Sequence, residues 1–235
     1  MRKPAKRIDR FFQHLFSTES DLLSNPLSGD RWVEYAFVVE NIKDLDRKSK
    51  ILDVGYTGSP LTTIINSLGS REVTGTDILK SPVKYKDIHF ICEDICNPKL
   101  PEAFYDVIIF RSTIEHIGLT GRHGASEIPH GDIIALKNAK KPLKKNGKIV
   151  LTIPYGACAT ISPYHRVYNR DSVLMSYIFK EFGIVKQEYY KNSPDNIWEL
   201  CSENEAPKVI PVETNYGLGL LVLEMRKGKR GLEED

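Results

Sequence analysis

Between residues 50 and 155, short apolar runs alternate with segments of helical periodicity, which leaves few folds open to the chain. "KILDVG" reads as a buried strand, followed by a helix from Pro60 to Leu68 that stops at Gly69. "EVTGTDI" and "IHFICEDI" read as the second and third strands, joined by a short connection. "YDVIIFRS" is nearly all apolar, as a strand covered on both faces should be. A helical "DIIALKNAKKPL" leads into a fifth strand, "GKIVLTIPY". "DSVLMSYIFKEFG" reads as a helix capped by Asp171 or Asn169 and ended by Gly183. "IVKQEYY" and "LGLLVLEMRK" supply two last strands. Alternation of this kind implies an α/β fold with a doubly wound, mostly parallel sheet.

Ahead of the first strand, residues 7–17 suit a short amphipathic helix and "NPLSGD" is a turn cluster. Asp30 can cap a helix over "RWVEYAFVVENIKDL", whose apolar face carries Trp32, Tyr35, Ala36, Val39 and Ile42. The expected organisation is an N-terminal helical extension over residues 1–46, packed on a single domain over 47–226, with a charged tail at 227–235. The 235 residues, 41% of them hydrophobic, suffice for one large core. A net charge of +2 points to neither nucleic acid nor membrane. No apolar run reaches the length of a membrane-spanning helix, and the basic start is broken by Gln13 and His14, unlike a secretory signal. Cys92, Cys96, Cys158 and Cys201 lack zinc-site spacing and read as reduced thiols of a cytoplasmic protein.

In doubly wound sheets, ligands bind beyond the carboxyl ends of the strands, where strand order reverses. Gly55 and Gly58 stand at that end of the first strand, and glycine lets backbone turn sharply and a ligand come close. Ser59 can cap the next helix and Pro60 suits its first turn. A dinucleotide loop needs G-x-G-x-x-G, but this one reads G-Y-T-G-S-P and lacks the third glycine. A phosphate loop needs a lysine that is not there either. S-adenosyl-L-methionine, which carries no phosphate, fits better. Asp77 closes the second strand, 22 positions after Gly55, where its two oxygens can take both ribose hydroxyls. Each such charge-assisted bond contributes roughly 1.5–3 kcal/mol. Asp94 closes the third strand, where it can accept from the adenine amino group, and Ile95 beside it can line the ring.

On "ILDVGYTG", "VTGTDI", "FICEDI", "YDVIIFRSTIEHIG" and "LKKNGKIVLTIPYG", the chain resembles the class I S-adenosylmethionine-dependent methyltransferases over about residues 50–156. The end, "FGIVKQEYY…GLGLLVLEM", suits the same family. The resemblance implies a Rossmann-like sheet of seven strands, the last antiparallel. It implies cofactor contacts from Asp53, Gly55, Tyr56, Gly58, Asp77, Ile78, Asp94, Ile95, Arg111 and Ser112. One departure stands out: the usual glycine loop reads G-x-G, whereas Tyr56 and Thr57 both separate the glycines here.

Methyl transfer from a sulfonium mainly needs orientation, which can supply roughly 7–11 kcal/mol. An alcohol acceptor also needs its proton removed. Glu115 and His116 follow the fourth strand directly, and His116 is the first candidate base because histidine titrates near neutral pH. A packed or helix-capping histidine is the alternative. His165 is a second candidate. The similar ubiquinone-pathway O-methyltransferases carry an E-x-x-E-H metal set, but Ser112 holds its first position here, so no metal is expected. The [DNS]-P-P-[YFW] stretch of base N-methyltransferases is missing from "RSTIEH". The stretch 118–132, with His123, His130 and Asp132, suits either a lid or a plain surface loop. Tyr155, Tyr164, Arg166 and Tyr168, after the fifth strand, suit a sugar or an anionic acceptor, or simple loop packing. "STIEHIGLTGRHG", "HGD", "TIPYG" and "HRVYNRDS" are similar to a methyltransferase-like group associated with glycan assembly. The expected activity is O-methylation of a small-molecule or glycan-type acceptor. An RNA methyltransferase, motivated by "MRKPAKR", and a non-catalytic cofactor-binding module are the alternatives.

Overall fold

The computed structural model describes residues 29–57, 59–69, 72–81, 84–85, 87–120, 126–161, 165–193, 197–206 and 217–225. The expected helix over 7–17, the tail, Gly58, His123 and Tyr164 lie outside the described residues. The apolar runs form strands β1 (Lys50–Val54), β2 (Glu72–Asp77), β3 (Ile88–Cys92), β4 (Tyr105–Arg111) and β5 (Leu143–Tyr155). After them come β6 (Ala159–Ile161), β7 (His165–Val167), β8 (Phe182–Asn192), β9 (Trp198–Cys201) and β10 (Gly217–Met225). Helices α1 (Gly29–Ile42), α2 (Leu61–Ser67), α3 (Gly131–Ala139) and α4 (Val173–Glu181) fill the intervals.

The main sheet runs β3-β2-β1-β4-β5-β10-β8-β9. β1 pairs in parallel with β2 and β4, as do β2 with β3 and β4 with β5. β10 is antiparallel to both β5 and β8, as expected of the last strand. Among the described residues the sheet has eight strands rather than seven. The extra one, β9, is a short edge strand on β8, with exposed glutamate and leucine among its residues. Its mixed composition carries no strand periodicity, so only the neighbouring strand recruits it. Strand order reverses between β1 and its two neighbours, which opens the ligand crevice at their carboxyl ends.

Both faces of the sheet are covered. On one, Phe37, Val38 and Ile42 of α1 and Leu61 and Ile65 of α2 pack against Ile51, Val73, Val107, Ile109 and Val150. On the other, Ala135 and Leu136 of α3 and Leu174, Met175 and Ile178 of α4 pack against Leu52, Ile108, Phe110 and Leu151. The buried stripe of α1 is rotated from the expected one. Trp32 is 62% exposed, whereas Glu34 is fully buried with Phe37, Val38 and Ile42. A buried acid breaks the hydropathy pattern, and only partners distant in sequence can reveal it.

Local signals place α2 to within one residue, although its N-cap is Pro60 rather than Ser59. The Leu61 N–H donates to Ser59 Oγ at 3.1 Å, and Gly69 takes a φ of 115° after the helix. They fail at two other helix ends. The helix expected through Leu143 stops at Ala139, because Leu143 pairs with Tyr105 to start β5. The last helix ends at Glu181, and Gly183 lies within β8. Its N-cap is Ser172, while the Asn169 side chain accepts from the Asp171 N–H at 3.0 Å.

Candidate functional site

At the carboxyl end of β1 the chain turns through Gly55, with a φ of 79°. A side chain there would overlap Thr113, which follows β4 and whose hydroxyl lies 3.0 Å from the Val54 carbonyl. Glycine is therefore required both by backbone sign and by this close approach. Tyr56 is buried and stacks 4.7 Å from Phe90. A Cβ on Gly75, within β2, would lie 2.9 Å from the Tyr56 ring. The glycine in "EVTGTDI" thus makes room for the residue that lengthens the loop.

Asp77 stands at the end of β2, facing that loop. Its Oδ2 accepts from the Thr57 N–H at 3.1 Å and its Oδ1 from the Leu79 N–H at 3.0 Å. Beside it, Ile78 is 37% exposed, an apolar surface at the crevice rim. Thr57 Oγ1 is buried and has no hydrogen-bond partner among the described residues. Asp94 lies two residues beyond β3 rather than at its end, and its carboxylate accepts from the Cys96 N–H at 2.8 Å. Asp94 is exposed, whereas Ile95 is buried in the core under α3. Asp53 is buried inside β1 and accepts from the Thr62 hydroxyl at 2.6 Å. Burial pushes its carboxyl up to about 6, against the opposing pull of Thr62 and Arg111.

Arg111 ends β4 and Ser112 follows it, and both side chains turn to Glu34 of α1. Arg111 Nη1 lies 3.3 Å from Glu34 Oε2, and Arg31 Nη1 donates to the same oxygen at 2.9 Å. The Ser112 and Thr152 hydroxyls both donate to Glu34 Oε1, the latter at 2.6 Å. Burial alone would raise the Glu34 carboxyl; the two guanidiniums and two hydroxyls outweigh it and hold the group below its usual range. Sequence reasoning missed Glu34, since an acid within an amphipathic helix reads as a solvated position.

Glu115 and His116 sit in a single 3-10 turn, Ile114–His116, directly after β4. Glu115 is buried, its Oε2 has no hydrogen-bond partner among the described residues, and its Oε1 lies 3.7 Å from His116 Nε2. Burial pushes its carboxyl up to about 8, and the Glu34 charge adds to the rise. The ring of His165, on β7, meets that of His116 edge to face at 6.2 Å between centroids. All three candidate proton-handling groups therefore converge. Among the described residues, no group of three or more His, Cys, Asp or Glu side chains is placed to hold a metal ion.

Beyond them, β6 and β7 pair antiparallel within the stretch expected as a loop. Arg166 of β7 donates to the Ile117 carbonyl at 2.8 Å, and the Tyr168 hydroxyl donates to Asp132 at 3.0 Å. A cavity of about 360 Å³ opens beside them, between the neck of the 118–131 loop and the start of α4. Gly118 and Gly131 close that neck. Gly118 has a φ of 77°, and a Cβ there would overlap the Ile128 carbonyl oxygen and lie 2.9 Å from the Gly131 Cα. Gly118→Ala is expected to cost about 2 kcal/mol or more, read as a fall of at least about 4 °C in Tm. An unchanged Tm would show that the neck can yield.

This strand order, reversed at β1 and closed by an antiparallel β10, is the fold of the class I S-adenosylmethionine-dependent methyltransferases. The Burkholderia thailandensis 1,6-didemethyltoxoflavin-N1-methyltransferase, solved with 1,6-didemethyltoxoflavin and S-adenosylhomocysteine, superposes with a TM-score of 0.61. Identity is 12%, over 96% of this chain and 91% of that one. The N-methyltransferase NodS of Bradyrhizobium japonicum WM9, solved with S-adenosylhomocysteine, gives a TM-score of 0.60 at 14% identity, over 93% and 98% of the two chains. A Methanosarcina mazei S-adenosylmethionine-dependent methyltransferase gives 0.54 at 12%, over 80% and 96%. No curated protein matches the sequence. The chain belongs to the family described as "Caenorhabditis protein of unknown function, DUF268", whose pattern matches residues 95–223.

The crevice fits the cofactor of this fold. Asp77 offers carboxylate oxygens at the rim, Ile78 offers exposed apolar surface, and Thr57 offers a buried hydroxyl without a hydrogen-bond partner among the described residues.

Proposed function

We propose that the chain is an S-adenosylmethionine-dependent methyltransferase that O-methylates a small-molecule or glycan-type acceptor. The observation that carries this reading is Asp77, at the carboxyl end of β2, its carboxylate beside the glycine loop and exposed Ile78 next to it. A carboxylate there accepts from paired ribose hydroxyls, and Ile78 covers one face of the base. Asp53, Gly55 and Tyr56 shape the methionine end. Arg111 and Ser112 act from behind, through Glu34, rather than by reaching forward. Asp94, exposed two residues beyond β3, is the proposed acceptor for the adenine amino group, while Ile95 packs in the core beside it.

When bound, the cofactor supplies an electrophilic methyl group on sulfur. The chain's own work is to orient the acceptor and take its proton. His116 follows β4, where the acceptor lies, and its Nε2 faces Glu115 Oε1 at 3.7 Å. His116 accepts the hydroxyl proton, Glu115 holds the imidazole's orientation, and His165 packs edge-on against the ring. The preference for a hydroxyl acceptor rests on this base, since an alcohol must lose its proton and a carboxylate has none to lose. The bound small molecule in the Burkholderia structure supports an acceptor of that size. The near-neutral charge favours such an acceptor over RNA, and among the described residues no helix is long and apolar enough to cross a membrane. A cytoplasmic location is the companion proposal.

Asp77→Ala is expected to weaken S-adenosylhomocysteine binding at least about tenfold by calorimetry. Unchanged affinity would remove Asp77 from the site.

A further inference from the structure

Glu34 touches neither acceptor nor cofactor in the scheme just described, yet it is a fully buried acid on a helix outside the sheet. Four side chains converge on it: Arg31 from its own helix, Arg111 and Ser112 from the end of β4, and Thr152 from β5. A buried carboxylate persists only with such compensation. The consequence lies at Ser112. Its φ of 43° is the left-handed region, which a serine adopts at some cost unless its surroundings hold it there. Two bonds hold it: its N–H donates to Thr152 Oγ1 at 2.9 Å, and its hydroxyl donates to Glu34. The next residue, Thr113, lies against Gly55, where it occupies the space a Cβ would need. Thr113 Oγ1 lies within 3.0 Å of the Val54 carbonyl and 2.9 Å of the Arg111 carbonyl, bridging the ends of β1 and β4.

We propose that Glu34 is a positioning residue: through Ser112 it fixes the strained strand end whose Thr113 braces the glycine loop, so that the cofactor crevice takes its shape only with α1 docked. The cofactor touches neither Glu34 nor the rest of α1 in this scheme. The helix acts as a brace laid across the ends of β4 and β5. This rests on the reading of the crevice as an S-adenosylmethionine site.

The test measures S-adenosylhomocysteine affinity by calorimetry on the full chain, beside thermal unfolding, for wild type, Glu34→Gln and Ser112→Ala. Gln keeps the shape of Glu34 but turns an amide N–H₂ or a neutral oxygen toward two guanidiniums. Ala at 112 removes one bond and leaves the Glu34–Arg111 pair in place, so it serves if the first variant does not fold. The expected result is a Kd raised about tenfold in chain that is still folded at the titration temperature, a loss equal to about one charge-assisted hydrogen bond. Amide exchange at Gly55 and Thr113 should quicken in the same variants. A lower Tm with wild-type Kd and wild-type exchange at those two amides would mean that Glu34 only stabilises the fold, and would overturn the proposal alone. A wild-type chain that binds no S-adenosylhomocysteine would overturn the crevice assignment as well.

Discussion

His116→Ala is expected to lower the rate of labelled-methyl transfer into the small-molecule fraction of a cell extract by roughly 10²–10⁴, the usual contribution of a positioned general base. His116 is half-buried, in a one-turn helix that makes backbone bonds of its own, so its removal should leave Tm close to wild type. Cofactor affinity should also be unchanged, because the proposed role of His116 is toward the acceptor and not the cofactor. The loss therefore belongs in kcat, and the rising limb of the wild-type pH–rate profile should disappear with it. His165 is the control. Its ring touches that of His116 edge-on, so His165→Ala should disturb the rate less than His116→Ala does. A wild-type rate in His116→Ala with a large loss in His165→Ala would transfer the role to His165.

Glu115→Gln should make the chain more stable in alkaline solution. Burial raises the Glu115 carboxyl from its usual 4.5 to about 8. The folded chain thus keeps a proton that the unfolded chain releases. This contribution is complete below about pH 4.5 and is lost as pH climbs toward about 8, so wild type weakens across that window. A glutamine carries no such titration. At pH 8 to 9 the variant is expected to exceed wild type by about 2–4 kcal/mol, or roughly 5–10 °C in Tm, with the gap closing toward pH 5. Parallel Tm profiles for the two proteins would mean that the Glu115 carboxyl is ionised in the fold throughout.

How legible this fold was depended on where each signal lies. β4 was plain in "YDVIIFRS" because a strand covered on both faces needs an unbroken apolar run. The α2 boundaries were equally plain, since Ser59, Pro60 and Gly69 act locally. The strand β9 was not, because a four-residue edge strand is selected by its neighbour β8 and not by its own residues. The same reason hid the true face of α1. Trp32, Tyr35, Ala36 and Val39 form as good a stripe on hydropathy as the one that is buried. Glu34 decides between them, and its partners lie at least 77 residues away apart from Arg31. Within the site, Asp77 was placed by its position at a strand end. Arg111 and Ser112 were expected from the resemblance, which says nothing about which way a side chain turns, and both turn to Glu34. Gly75 shows the reverse case: the signal was in the sequence, as a glycine inside an apolar strand, and its meaning required Tyr56 to be seen above it.

The most direct test is a calorimetric titration of the full-length chain with S-adenosylhomocysteine and, separately, with a nicotinamide dinucleotide. One saturable site for the first ligand and none for the second is the expected result. Absence of heat at about 1 mM S-adenosylhomocysteine, or a dinucleotide that binds in its place, would contradict the assignment of the crevice at Asp77.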